Sequence, residues 1–110
     1  MSKKLGKISS LRFGFGGYQN TQLGISIKIT GETWGVCDFY GTWGPKIKCT
    51  EHTNWTEQDR DAMYARTVRR IGELLIDAKV DCIRDLEGTP VEVEFEGQEM
   101  KSWRVLTEVI

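Results

Sequence analysis

Alternation of apolar and polar positions dominates the first forty residues. Leu11, Phe13 and Phe15 fall on one face of an extended segment, Gly16-Gly17 interrupts it, and Leu23, Ile25, Ile27 and Ile29 then alternate without a break. This pattern predicts two strands joined through a glycine turn. Thr30-Gly31-Glu32 supplies the next turn, and Trp34, Val36, Asp38 and Tyr40 alternate against Gly35, Cys37 and Phe39 in a third strand. Gly41-Thr42-Trp43-Gly44-Pro45 breaks the pattern. Ile47-Lys48-Cys49 reads as a short edge strand, because the proline and flanking lysines disfavour a central position.

The period changes at Thr56. Its side chain is placed to cap the free amide of Asp59, and Glu57, Asp59 and Asp61 put negative charge at the positive end of a helix dipole. Met63, Thr67, Ile71, Leu74, Leu75 and Ala78 recur at spacings of three and four, one apolar stripe over about six turns, which Tyr64 and Val68 widen into a largely covered helix. Asp81 is expected to cap a second short helix through Asp85-Leu86, ended by Gly88 with Pro90 beyond it. Val91, Val93 and Phe95 alternate with Glu92, Glu94 and Glu96, and after a turn near Gly97-Gln98 the chain returns as a terminal strand over Trp103–Val109. Strands, then helices, then a closing hairpin define an α+β class. One domain over residues 1–110 is expected, an antiparallel sheet of N-terminal strands and C-terminal hairpin packed on one long and one short helix. The apolar face of the hairpin calls for cover, by the helix or by a second subunit.

Composition narrows the function. Lys plus Arg is 15 and Asp plus Glu is 16, so the net charge of −1 provides no general field for DNA, RNA or an anionic membrane. The balance is uneven along the chain: Met1–Trp55 holds seven basic and three acidic residues, Thr56–Ile110 eight basic and thirteen acidic. The halves either attract each other within one chain or leave the N-terminal half as a weakly cationic surface for a small anion. Cys37, Cys49 and Cys82 are odd in number and widely spaced, which fits neither a disulfide framework nor a zinc site. They read as buried, inert thiols of a reduced, cytosolic protein. No apolar run approaches eighteen residues, and MSKKLGKISS is not followed by an apolar signal core.

The chemistry left is recognition rather than turnover. The one histidine, His52, sits in a polar loop beside Glu51, with no nucleophile tied to it by a motif. Glu92, Glu94 and Glu96 fall on one strand face, where solvent-facing alternation explains them without a metal. Phe13-Gly14-Phe15-Gly16-Gly17-Tyr18 is the most unusual segment: its glycines allow close backbone approach to a ligand and its rings offer faces for stacking, or it forms a bulge or turn with core aromatics. It matches neither the dinucleotide fingerprint nor the phosphate loop. Asp38, in an otherwise apolar strand, requires a partner, an exposed edge or a ligand. Arg66, Arg69 and Arg70 share one region of the helix, as phosphate forks or as an exposed face with Glu73 pairing Arg69 or Arg70. Arg104, alternating with an apolar hairpin, has to face something polar.

Taken together, SLRFGFGGYQNTQLGISI at 10–27, WGVCDFYGTW at 34–43, LLIDAKV at 74–80 and GTPVEVEFEGQEMKSWRVLTEVI at 88–110 resemble small phage proteins of the Thoeris anti-defence type 1 family over nearly the whole chain. The resemblance implies a viral sponge in the host cell cytoplasm. Such a sponge binds, without cleaving, the cyclic ADP-ribose isomer (glycocyclic ADP-ribose) that bacterial TIR-domain proteins make on infection, and some members also hold cyclic trinucleotides of CBASS. It implies a homo-oligomer, dimer or hexamer, with no cofactor and no enzymatic activity. The ligand-binding candidates on that reading are Phe15, Gly16, Gly17 and Tyr18 for close approach and stacking, Asp38 for ribose or base hydrogen bonds, Arg66, Arg69 and Arg104 for phosphate, and Phe39 and Trp103 beside them. Two other readings of the residues stay open: a phage structural or interaction protein without a nucleotide ligand, and a cyclic-nucleotide hydrolase.

Overall fold

One irregularity in the first strand sets the architecture. In the computed structural model, which describes residues 1–110, β1 (Ser2–Gly16) pairs antiparallel with two strands at different heights. Ser2–Lys7 lies against β4 (Pro90–Glu96), and Lys7–Gly16 lies against β2 (Gln22–Thr30). The register with β2 slips between Ile8 and Ser10. Because side chains alternate across a strand, the extra residue reverses which parity faces inward. Gly6 and Ile8 before the slip therefore share a face with Leu11, Phe13 and Phe15 after it, opposite Val91, Ile29, Ile27, Ile25 and Leu23 respectively.

Adding β3 (Gly35–Trp43) beyond β2 and β5 (Glu99–Val105) beyond β4 completes a five-stranded antiparallel sheet of order β3-β2-β1-β4-β5. Its inner face carries Ile25, Ile27, Ile29, Val91, Val93, Phe95, Trp103 and Val105, which pack with Leu74 and Ala78 of the one long helix, α1 (Glu57–Ala78), and with Leu86. The hairpin's apolar face is thus covered within the chain, and the expected α+β class holds.

The sheet curls until its two outer strands meet. Although β3 and β5 stand at opposite ends of the strand order, Trp103 Nε1 on β5 donates a 2.6 Å hydrogen bond to Asp38 Oδ2 on β3. The other carboxylate oxygen of Asp38 accepts from the Phe39 amide at 3.0 Å. Arg70 of α1 lies over both neighbouring rings, 5.4 Å from the centroid of Tyr40 and 5.3 Å from that of Trp103. Burial raises the Tyr40 phenol above its ordinary pKa, the Arg70 guanidinium offsets part of this, and the Asp38 carboxylate adds to it.

Helix α1 begins as expected and with one bond more. The Thr56 hydroxyl oxygen accepts from the Asp59 amide and the Asp59 carboxylate accepts from the Thr56 amide, a full capping box. It ends at Lys79 in a left-handed conformation (φ 58°). Its cover is narrower than the sequence implies: Thr67, Leu74 and Ala78 are buried, but Val68 is 69% exposed and Ile76 is exposed as well.

Other expectations are corrected. Residues 2–10 belong to β1, although their alternation is obscured by Lys4 on the inner side and an exposed Leu5 on the outer. Ile47–Cys49 forms no strand, and the Ile47 carbonyl accepts from Arg60 instead of from a ladder neighbour. The second helix is only a 3-10 turn, Ile83–Leu86, capped at Cys82 without a side-chain bond from Asp81. The last strand stops at Val105, and Thr107–Val109 turns in 3-10 form. Glu73 forms no ion pair with Arg69 or Arg70, which leaves Arg70 to the aromatic rings. No helix is long and apolar enough to cross a membrane.

Replacing Asp38 with alanine removes the acceptor of a Trp103 indole that is only 8% exposed. The variant is expected to lose about 1–3 kcal/mol, seen as a lower urea midpoint with unchanged slope, while Asp38→Asn, which keeps an acceptor oxygen, loses less.

Candidate functional site

The glycine-aromatic segment ends β1 in a turn that requires one of its glycines. Gly17 sits at φ 72°, and Gln19 and Asn20 follow with φ of 54° and 55°, so the chain reverses through a left-handed stretch before β2. Tyr18, 82% exposed, projects from this turn, and its carbonyl accepts from the Thr21 hydroxyl at 2.8 Å. Phe15 is half exposed on the inner face. Together with Gln19, Asn20 and Thr21 it forms one side of an open cleft of about 400 Å³, whose other side is Gly44, Lys46 and Ile47. Gly44 is close-packed there: a Cβ would stand 2.9 Å from the Phe15 ring and displace it, and the Gly44 amide donates to the Thr21 carbonyl at 2.7 Å.

What holds the Gly44–Ile47 wall is an arginine absent from the expected site. Arg60, 7% exposed, donates from one guanidinium nitrogen to the carbonyls of Gly44 (2.8 Å) and Ile47 (2.6 Å), while the other nitrogen pairs with the Glu57 carboxylate. Its guanidinium also lies 5.0 Å from the centre of the Trp55 ring, which stacks on Trp43 at 6.2 Å. Tyr64 adds a 2.8 Å bond to the Trp43 carbonyl. Five donors in a planar fork allow one buried side chain to satisfy two turn carbonyls and a carboxylate at once. Within the same loop, the Cys49 thiol lies 2.9 Å from the Trp55 carbonyl and 3.2 Å from the Thr53 hydroxyl.

The other candidates do not converge on this cleft. Asp38 and Trp103 are bonded to each other, about 13 Å farther along β3 from the Thr42 level where Phe15 lies. Phe39 is on the opposite face of the sheet, where its ring lies across Gly24 and Gly41. Arg66 and Arg69 are exposed on α1, Arg66 reaching only the Met63 sulfur at 3.7 Å. Arg104 also points to the outer face. There it meets Glu92 at 3.2 Å and grips Glu108 with two nitrogens at 3.0 and 2.9 Å. One chain therefore brings Phe15 together with Lys46, Asp38 with Trp103, and Arg104 with two glutamates, in three separate places, while Gly16, Gly17 and Tyr18 form the turn beside the cleft without lining it.

Charge is distributed to match the cleft. Arg60–Glu57, Lys101–Glu96 and the Arg104 pairs all lie within the C-terminal half, and none of the seven N-terminal lysines and arginines has a carboxylate within ion-pair distance. His52 pairs only with its neighbour Glu51. The expectation of buried thiols needs correction: Cys37 is exposed on the outer face of β3, and Cys49 and Cys82 are half-buried.

Two outcomes follow. Arg60→Met leaves the Gly44 and Ile47 carbonyls without their donor, so stability is expected to fall by about 1–3 kcal/mol, with amide exchange at 44–47 accelerated more than in β4 and β5. The Arg104 fork holds the Glu108 carboxyl down at about 2, from an ordinary 4.5. A depressed carboxylate contributes stability above its unfolded pKa and loses it as pH falls through its folded one, so this pair weakens between pH 4.5 and 2. A carbon-detected titration should place the Glu108 midpoint near 2, and Arg104→Ala should return it toward 4.5.

Compared with protein-family models, with curated proteins and with solved structures, the chain matches none.

Proposed function

We propose that the protein is a phage anti-defence sponge that binds and holds intact a cyclic ADP-ribose isomer, glycocyclic ADP-ribose, in the host cell cytoplasm, acting as a homo-oligomer. The observation that carries this reading is the cleft beside the Gly17 turn. It combines a half-exposed aromatic ring, Phe15, with polar side chains of Gln19 and Asn20 and with Lys46, a cation that has no carboxylate partner. An adenine base stacks on an aromatic face, and a diphosphate is attracted to an unpaired ammonium. The volume of about 400 Å³ falls in the range of small-ligand sites. The resemblance to the Thoeris anti-defence type 1 family supplies the ligand class, and Phe15 to Asn20 lie within SLRFGFGGYQNTQLGISI, one of the segments that carry it.

Sequestration asks little of the residues: stacking, hydrogen bonds and charge neutralisation. Nanomolar affinity corresponds to about −12 kcal/mol. Ligand at a hundredfold excess over its dissociation constant stabilises the fold by about 2.7 kcal/mol, an upward shift of several degrees for a domain of this size. The test is to add the cyclic ADP-ribose isomer, record that shift, then heat-denature the complex and analyse what is released. Intact ligand supports the sponge. Fragments establish a hydrolase, and absence of any shift with this ligand or with cyclic trinucleotides establishes a protein without a nucleotide ligand. Phe15→Ala is expected to weaken binding by about 1–3 kcal/mol, roughly 5- to 150-fold, through the lost stacking face.

A further inference from the structure

The backbone of β1 has partners on both edges only around Lys7 and Ile8; before them it pairs with β4 alone and after them with β2 alone. Up to Lys7 it has β4 on one edge, and Ile8 exchanges bonds with Gly88 and Thr89 at 2.7 and 2.9 Å. From Ser10 to Gly16 its only ladder is with β2, and no turn or loop bond reaches the other edge. That edge is seven residues long, with Gly88 and Thr89 at one end and the Gly17 turn at the other, and Ile83 and Arg84 of the 3-10 turn and the adjoining Glu87 stand across a small gap from Leu11–Phe13.

Unpaired strand edges are normally protected by proline, lysine or an overlying element. The segment itself carries only Arg12 as a charge, with Arg84 and Glu87 across the gap, and its inner face is aromatic. Phe13 is 55% exposed and Phe15 43%, together about 200 Å² of ring surface left to water. Beside them runs a shallow apolar groove formed by Phe13, Leu23, Pro45, Tyr64, Thr67 and Val68.

We infer that this edge pairs with the same edge of a second copy, antiparallel about a two-fold axis at Phe13. The segment complements itself in that register. Leu11 of each copy falls opposite Phe15 of the other, the two Phe13 rings meet, and all of these lie on the inner face. On the outer face each Arg12 falls opposite a glycine, Gly14, so no like charges are opposed and no bulky pair collides. An isologous contact of this kind closes after two copies, and it joins the two β3-β2-β1 arms into one six-stranded layer. Leu11 of the second copy then stands against Phe15 at the mouth of the cleft. The pairing names the surface for the homo-oligomer part of the proposed function and does not depend on the ligand.

Sedimentation equilibrium between about 1 and 100 µM tests it. Wild type is expected to dimerise. Phe13→Asp, which places two carboxylates at the axis, is expected to weaken dimerisation at least about 30-fold while the far-ultraviolet spectrum stays unchanged. A second pair of variants does not rely on that one folding. In a Cys37→Ser background, Phe13→Cys puts thiols on directly opposed residues, about 4.5–5.5 Å apart at Cα, and should form a disulfide-linked dimer on mild oxidation. Ser10→Cys, whose two copies stand about 20 Å apart in this register, should not. A monomeric wild type overturns both this interface and the homo-oligomer it serves. An assembly that survives Phe13→Asp in folded protein, or that cross-links equally through Ser10→Cys, overturns this interface alone.

Discussion

Closure of the sheet depends on one hydrogen bond between its two ends. A twisted five-stranded sheet leaves two edge strands, and here the indole of Trp103 and the carboxylate of Asp38 join them. Each group answers the other's requirement. A tryptophan N–H that is buried needs an acceptor, and a carboxylate among isoleucines and valines needs donors. The Phe39 amide supplies the second donor, and Arg70 lays its charge over the rings on either side. The curl that results seats α1 across β3 and β5 and encloses the isoleucine and valine core. Asp38 and Trp103 are thereby engaged within the fold, which takes them out of the expected binding set.

Much of this was legible in the sequence because it follows from simple periods. The alternation over Leu23–Ile29 and Val91–Phe95 and the three-and-four spacing through α1 each place a face against the core. The N-terminal half of β1 was not legible, because its inward positions are Ser2, Lys4 and Gly6, residues that signal no apolar face. The slip at Ile8/Ser10 then reverses parity, so no single period spans the strand. Ile47–Cys49 looks like an edge strand by composition, but Arg60 captures the Ile47 carbonyl before any ladder can.

The candidate site was partly legible for the same reason. Turn chemistry identifies Gly17 and its aromatic neighbours directly. Lys46 and Gly44 were not legible, since their place opposite Phe15 depends on a loop folded against α1. A signal for Arg60 did exist: carrying the stripe Thr67, Ile71, Leu74 and Ala78 back through Tyr64 by one more turn lands on Arg60, an arginine on a core-facing position. Arg66 and Arg69 are off that stripe and stay in solvent, whereas Arg70 reaches the core edge through its stacking partners.

The uneven charge of the chain resolves in the same geometry. Four acidic residues of the C-terminal half, Glu57, Glu92, Glu96 and Glu108, pair locally with Arg60, Arg104 and Lys101, the N-terminal cations have no carboxylate partners, and Lys46 stands at the cleft. A small anionic nucleotide fits that arrangement better than a polyanion, which a net charge of −1 would repel as much as attract. The most direct measurement is an amide nuclear magnetic resonance titration with the cyclic ADP-ribose isomer. Shifts are expected only at Phe15–Thr21 and Gly44–Ile47; shifts centred on Arg104 or on Arg66 and Arg69, or none at saturating ligand, would overturn the cleft as the binding site.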